Sequence, residues 1–235
     1  MSIHQSLRAD HIIKKPIMRF DIITIFPGIF DSYLNESILK RAQKNKLISI
    51  KIHNLRDFTT DKHKKVDDRP FGGGPGMVMY AEPITKAILK TKPSQKSKVI
   101  IFSPAGKKFD DKLSQQFAKK NDHLIFVCGR YEGVDERVEK ILKDLKIKTE
   151  KISIGPYVLT GGELAAMVLI DSISRKITGV LGKEESLEEK RNGVGIPTYT
   201  RPAEIKFKNK KYKIPEILLS GNHAKIEEWK KKFKK

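Results

Sequence analysis

Residues 99–142 read VIIFSPAGKKFDDKLSQQFAKKNDHLIFVCGRYEGVDERVEKIL, and their pattern decides the fold. Val99 to Phe102 is a short, uninterrupted, β-branched apolar run, the signature of a buried strand. Ser103-Pro104-Ala105-Gly106 reads as a turn, Asp110 to Ala118 as a helix, Leu124 to Val127 as a strand and Val134 to Leu142 as a helix. Working toward the N-terminus, Arg19 to Ile25 and Leu47 to Ile52 read as strands, and Phe30 to Lys46 and Pro83 to Leu89 as helices. Between them, Arg56 to Gly76 is polar, glycine-rich and too long for an ordinary connection. Toward the C-terminus, Gly162 to Arg175 (GELAAMVLIDSISR) is a strongly apolar helix, packed on the core or on a second subunit. Strands alternating with helices predict an α/β fold whose mostly parallel sheet is covered on both faces.

The flanks differ in texture. Residues 1–17 fit no element, and Met18 stands directly before the first strand, so a disordered extension is expected there and the start of the folded chain at Met18. One main domain is expected over 18–182. Residues 183–201 are charged, glycine-containing and aperiodic, which predicts a flexible linker. Residues 202–235 read as a short basic segment ending in a helix from Ala224 to Phe233.

Of 235 residues, 48 are Lys or Arg against 28 Asp or Glu, a formal charge of +20 that attracts a polyanion through counterion release. Most of the excess is lysine, which also fits general solubility; its position favours nucleic acid. Lys206 to Lys213 (KFKNKKYK) and Trp229 to Lys235 (WKKKFKK) interleave it with aromatics, which stack on bases while ammonium groups meet phosphates. No window carries the apolar run of a spanning helix, and the N-terminus lacks the order of a secretory signal. Cys128 is the only cysteine, so no intrachain disulfide exists and a reducing cytoplasm is expected.

Three glycine-rich segments stand out: Ser103 to Gly106 and Gly129-Arg130-Tyr131-Glu132-Gly133, each after a predicted strand, and Ser153 to Gly162 (SIGPYVLTGG), leading into the apolar helix. In open α/β sheets ligands bind beyond the carboxyl ends of the strands, so these segments are expected to share one pocket. Glycines admit a ligand close to the backbone, and Tyr131 and Tyr157 supply apolar walls with polar tips. No phosphate loop, dinucleotide fingerprint or nucleophile elbow occurs, and the six histidines form no ligand-spaced cluster with Cys128, so no metal site is expected. The pocket reads as one built for a ligand held largely by backbone groups.

Longer motifs carry a resemblance. Phe26-Pro27-Gly28-Ile29-Phe30, Arg56-Asp57-Phe58-Thr59, Val66 to Met77 (VDDRPFGGGPGM), Gly129 to Arg137 (GRYEGVDER), Ile154 to Met167, Tyr199-Thr200-Arg201-Pro202 and Leu219 to His223 (LSGNH) occur in order. From about Arg19 to about Lys230 the chain resembles the bacterial tRNA (guanine-N1)-methyltransferases of TrmD type, in the SPOUT superfamily. The resemblance implies a parallel sheet with a C-terminal trefoil knot, a homodimer with active sites at the subunit interface, and methyl transfer from S-adenosylmethionine (SAM) to N1 of guanine 37, beside the anticodon in the tRNA stem–loop. A non-catalytic RNA-binding knot protein, and a methyltransferase for another RNA position, are the competing readings.

Transferred by motif, the family's SAM positions fall on Pro104, Gly129, Tyr131, Glu132, Gly133, Ile154, Gly155, Pro156, Tyr157, Val158, Leu159, Gly161 and Gly162. Pro156 stands where the family usually has aspartate, removing a carboxylate and a backbone donor, and Ala165 where it usually has proline. Arg175 matches the arginine that stabilises guanine O6; Asp67 and Gly76 lie in the guanine-recognition motif, and Ser186 matches a residue near the target base. The family's general base is a linker aspartate, and an ungapped match places Lys190 there, so Glu189, with Glu188 beside it, becomes the candidate base. The family usually continues past Trp229 with a larger helical domain. Here the chain ends at Lys235, and the lysine-rich tail is expected to replace grip by shape with grip by charge, making tRNA binding salt-sensitive.

Overall fold

The computed structural model describes residues 18–181 and 195–233. The chain divides into two compact units, Met1–Val180 and Leu181–Lys235. In the first, five strands form an all-parallel sheet in the order β2-β1-β6-β5-β7. These are β1 (Met18–Thr24), β2 (Ile48–Asn54), β5 (Ser97–Lys108), β6 (His123–Val127) and β7 (Thr149–Ser153). A minor antiparallel pair, β3 (Asp67–Asp68) with β4 (Val78–Met79), closes the long glycine-rich segment.

Both faces of the sheet are covered, which is why its central strands are almost wholly apolar. On one face Phe20, Ile22, Ile100, Phe126 and Ile152 meet α1 (Asp31–Leu34), α2 (Ser37–Lys44), α4 (Asp111–Lys120) and α6 (Glu163–Ser174). On the other, Ile23, Val99, Ile125 and Val127 meet α3 (Ala81–Lys90) and α5 (Arg137–Asp144). Asp110 caps α4 by accepting from the Leu113 amide at 2.7 Å. One buried carboxylate interrupts the apolar filling. Asp21 in β1 is surrounded by His53 (2.5 Å), His123 (2.7 Å) and Arg19 (2.6 Å), and these partners hold its carboxyl well below the usual carboxylate range against the opposing effect of burial.

Four expectations change. The helix expected over 30–46 is broken into α1 and α2, because Ser37 takes a left-handed backbone (φ 48°). Ser103 to Gly106 is not a turn after a strand. β5 runs through it to Lys108, and Phe102 and Lys107 both face Ile152 of β7, so the residues between them form a bulge. A Cβ on Gly106 would lie 2.6 Å from the Ile152 amide nitrogen, so glycine lets β5 cross β7 there. β7, half-buried and polar in sequence (TEKIS), had no apolar run to announce it. In the second unit, the basic stretch is a hairpin of β8 (Glu204–Phe207) and β9 (Lys210–Lys213), followed by α7 (His223–Lys231), which Asn222 caps.

Candidate active site

The carboxyl ends of β5, β6 and β7 and the N-terminus of α6 enclose a cavity of about 350 Å³. This is within the size range of small-ligand pockets. Pro104 of the β5 bulge, Gly129, Tyr131, Glu132 and Gly133 after β6, and Ile154, Gly155, Tyr157, Val158, Leu159, Gly161 and Gly162 after β7 all line it. Pro156, alone among the expected cofactor positions, does not.

The lining depends on close approach of backbone to backbone. A Cβ on Gly162 would meet Cys128 Cα at 2.8 Å and the Phe102 ring at 3.0 Å, while the Gly162 amide donates to the Gly129 carbonyl at 3.0 Å. A Cβ on Gly155 would collide with the Tyr157 ring, whose hydroxyl donates to the Ile154 carbonyl at 3.1 Å. Tyr131 is held in a left-handed conformation (φ 58°) between Gly129 and Gly133, which turns its half-exposed ring into the mouth. At the rim Lys151 pairs with Glu136 (2.7 Å) and Glu139 (2.6 Å), holding Glu136 below its usual range. Cys128 is fully buried beneath the floor, and burial together with the Glu163 carboxylate pushes its thiol well up, so it is no nucleophile.

The residues that tie the loops together were not among the sequence-predicted site residues. Arg130 reaches from the β6 loop to Glu163 of α6, with Nε 3.0 Å from the carboxylate, and donates to the Thr160 carbonyl at 3.3 Å. Its guanidinium lies 4.7 Å from the centre of the Phe26 ring, a cation–π contact. Glu163 is 2% exposed and also accepts from the Thr24 hydroxyl at the end of β1 (2.8 Å). One buried ion pair thus pins the ends of β1 and β6 and the start of α6. The available signal was a carboxylate in the first turn of an otherwise apolar helix, which reads equally well as a response to the helix dipole.

The substrate-side expectations are spread more widely. Gly76 (φ 85°) lies against the Glu132 side chain, so the segment expected to recognise guanine touches a cavity residue there. Asp67 lies in β3, paired with Met79, outside the cavity lining. Arg175 caps the C-terminal end of α6, and a helix of this length rises about 18 Å. The cavity contacts only the opposite end of that helix, at Gly162 and Ala165, so a single chain does not bring Arg175 to the cavity. Ser186, Glu188, Glu189 and Lys190 lie outside the described residues. Among the described residues no His, Cys, Asp and Glu group has the arrangement of a metal site.

A parallel α/β sheet with a backbone-lined cavity at its carboxyl edge defines an α/β protein with a small-ligand site of the open-sheet kind. Comparison with known proteins narrows this. The chain belongs to the tRNA (guanine-1)-methyltransferase TrmD family, whose model matches residues 18–235. It is 51% identical over 219 residues to a tRNA (guanine-N(1)-)-methyltransferase of Dictyoglomus turgidum, covering 92% of this chain and 84% of that protein. It is 50% identical over 220 residues to the protein of that name from Clostridioides difficile, covering 91% of each. A third relative of the same name, from Carboxydothermus hydrogenoformans, is 50% identical over 218 residues, covering 92% of this chain and 82% of that protein.

Proposed function

We propose that the protein transfers a methyl group from S-adenosylmethionine to N1 of guanine 37 in tRNA, working as a homodimer in the cytoplasm. The observation that carries this reading is the cavity itself: twelve of the thirteen cofactor positions implied by the resemblance converge on one pocket in a chain of this family. The donor set suits SAM, since glycine backbones, two tyrosine walls and a carboxylate (Glu132) can accommodate an adenosine, an amino-acid moiety and a positive sulfonium. A trefoil knot belongs to the same reading. It is supported by the tight crossing of β5 over β7 at Gly106, and by the close approach of the chain after β7 to Cys128 and Gly129 at Gly162, neither of which leaves room for a side chain.

When bound, SAM supplies an electrophilic methyl group. The protein's task is to free the N1 lone pair, because guanine carries a proton there at neutral pH. Glu189, or Glu188 beside it, accepts that proton as the N1–methyl bond forms. Arg175 meets the negative charge that develops on O6. Asp67 and Gly76 belong to the segment proposed to hold the base, and the resemblance adds Ser186 as a residue serving it.

The distance of Arg175 from its own cavity supports the dimer. Leu164, Val168, Asp171 and Arg175 follow helical spacing along one stripe of α6, and Leu164 (55%) and Val168 (46%) are exposed. Phe26, Ile29 and Tyr33 are exposed beside it, with the Tyr33 hydroxyl donating to Asp171 at 2.7 Å. A partner covering this apolar face completes a cavity with an Arg175 that the same chain cannot deliver.

The test is methyl transfer from labelled SAM to a tRNA transcript carrying guanine at positions 36 and 37. Label on tRNA that disappears when guanine 37 is replaced is the expected result. SAM binding without transfer would instead favour a non-catalytic RNA-binding protein, and label surviving the replacement would move the target. Single-turnover rates of Glu189→Gln and Glu188→Gln, measured separately, locate the base by the larger loss.

A further inference from the structure

The β8–β9 hairpin is exposed on both faces, and its two faces differ. Cross-strand partners share a face, and the register pairs Glu204 with Lys213, Ile205 with Tyr212, Lys206 with Lys211, and Phe207 with Lys210. One face therefore carries Ile205, Phe207 and Tyr212, with Lys210 beside them. The other carries Lys206, Lys211 and Lys213, with Glu204 paired to Lys211 at 3.2 Å. The turn residues Lys208 and Asn209 both have left-handed backbones (φ 44° and 59°), the tight two-residue connection that keeps the strands in this register. Lys208 Nζ stands 5.8 Å from the centre of the Phe207 ring.

This is an unusual surface for a protein to leave in water. Ile205, Phe207 and Tyr212 are 53%, 62% and 51% exposed, and no described residue of the second unit is buried. A two-stranded ribbon gains little stability from itself, and an apolar face on a ribbon without a core beneath it serves a partner better than it serves the fold. Five lysines against one glutamate over residues 204–213 select a polyanion as that partner. Planar side chains on the opposite face select one that also presents unstacked rings.

We propose that the β8–β9 hairpin is a two-faced RNA-binding ribbon: its lysine face and turn neutralise tRNA phosphates, while Phe207 and Tyr212 stack on unpaired loop bases. This rests on tRNA being the substrate, and adds to it a second contact surface, made by residues outside the cavity lining, that distinguishes looped from fully paired RNA. Single-stranded RNA is recognised by stacking on aromatic side chains, whereas the edges of A-form pairs are poorly accessible. The ribbon thus supplies a preference for loops that lysines alone would not.

The experiment measures binding of the full chain to a tRNA transcript, to its isolated anticodon stem–loop and to a blunt RNA duplex, across a salt series. Replacing Lys206, Lys208 and Lys211 together by Gln is expected to make the slope of log affinity against log salt shallower by about 2 to 3, at roughly 0.7–0.9 for each phosphate no longer neutralised. Phe207→Ala and Tyr212→Ala are each expected to weaken tRNA and stem–loop binding about tenfold with the slope kept, and to leave duplex binding unchanged. Phe207→Trp should restore affinity, and SAM affinity should be unaltered throughout. An unchanged slope and affinity in the lysine variant overturns the proposal. So does equal weakening toward stem–loop and duplex in the aromatic variants. A loss that tracks dissociation of the protein in sedimentation also overturns it, because the ribbon would then be a contact between copies. Failure of the methyl-transfer reading is distinguishable, since it would appear as an intact protein that binds tRNA without labelling it.

Discussion

Arg130→Ala tests whether the buried ion pair organises the cavity. The substitution leaves Glu163, whose side chain is 3% exposed, with the Thr24 hydroxyl at 2.8 Å as its remaining close partner. Removing one partner of a buried pair costs about 3–5 kcal/mol. The value here should lie near the lower end, about 3 kcal/mol, because the Arg130 side chain is 17% exposed and water reaches the vacated space. Glu163→Gln keeps the shape and can still accept from Thr24, so it should cost only about 1–2 kcal/mol. In the double variant no orphaned carboxylate remains, so the sum should fall short of additivity by about 1–2 kcal/mol. Denaturant unfolding of the four proteins gives the cycle, and calorimetry gives SAM affinity. Because Arg130 also joins the β6 loop to Thr160 and Phe26, its loss should weaken SAM binding at least tenfold, while Glu163→Gln with Arg130 intact should weaken it much less. Additive free energies, or an Arg130→Ala cost below about 1 kcal/mol, would refute the assignment of this pair as the tie between the loops.

Other consequences follow from particular residues. Gly162→Ala forces a methyl group onto Cys128 Cα and the Phe102 ring, and should cost about 1–3 kcal/mol in unfolding experiments together with most SAM affinity; unaltered SAM binding would count against the backbone-lined site. The carboxyl of Asp21 is held low, so the stability it contributes is present above the ordinary carboxylate value near roughly 3.9 and is lost as pH falls below it. Asp21→Asn should therefore lower stability at neutral pH by about 3 kcal/mol and flatten its decline on acidification; parallel stability–pH curves for the two proteins would contradict this. Leu164→Asp with Val168→Asp should yield monomers in sedimentation that bind SAM but methylate tRNA at a small fraction of the native rate, whereas active monomers would place Arg175 outside the chemistry. The Tyr33 hydroxyl, donating to Asp171, is pushed up to about 12, and Asp171→Asn should return it toward its ordinary value in an ultraviolet titration.

Legibility from sequence varied with the kind of force that shapes each part. The central strands were readable because a sheet covered on both faces must be apolar at nearly every position, as His123–Val127 is. β7 escaped because an edge strand needs only one or two apolar residues, and Ile152 among polar neighbours is no pattern. Gly106 misled for a different reason. A glycine that lets two backbones cross looks the same in sequence as one that turns a chain, and only the contact with Ile152 separates them. In the hairpin, the lysines concealed an alternation through Ile205, Phe207 and Tyr212 that is clear once the register is known.

The two halves of the site were unequally legible for the same physical cause. A ligand held by backbone groups leaves its mark as glycines at fixed spacing, because each close approach forbids a side chain at a definite position. Gly155, Gly161 and Gly162 therefore announce the cavity before any contact is known. Groups that act on a substrate obey no such local rule. For Arg175, proposed to act on the substrate, the sequence offers only an arginine at a helix end, which is commonplace; the structure adds a cavity at the opposite end of the same helix. Arg130 and Glu163 lie between these extremes. They are 33 positions apart and carry opposite charge like many other pairs in this chain, and burial of Glu163, shared among the described carboxylates only with Asp21, is what separates them from the rest. A carboxylate withdrawn from water must be met by a partner of comparable strength, so whichever loop delivers that partner is fixed in place. Here that loop is the one after β6, and it forms one wall of the cavity.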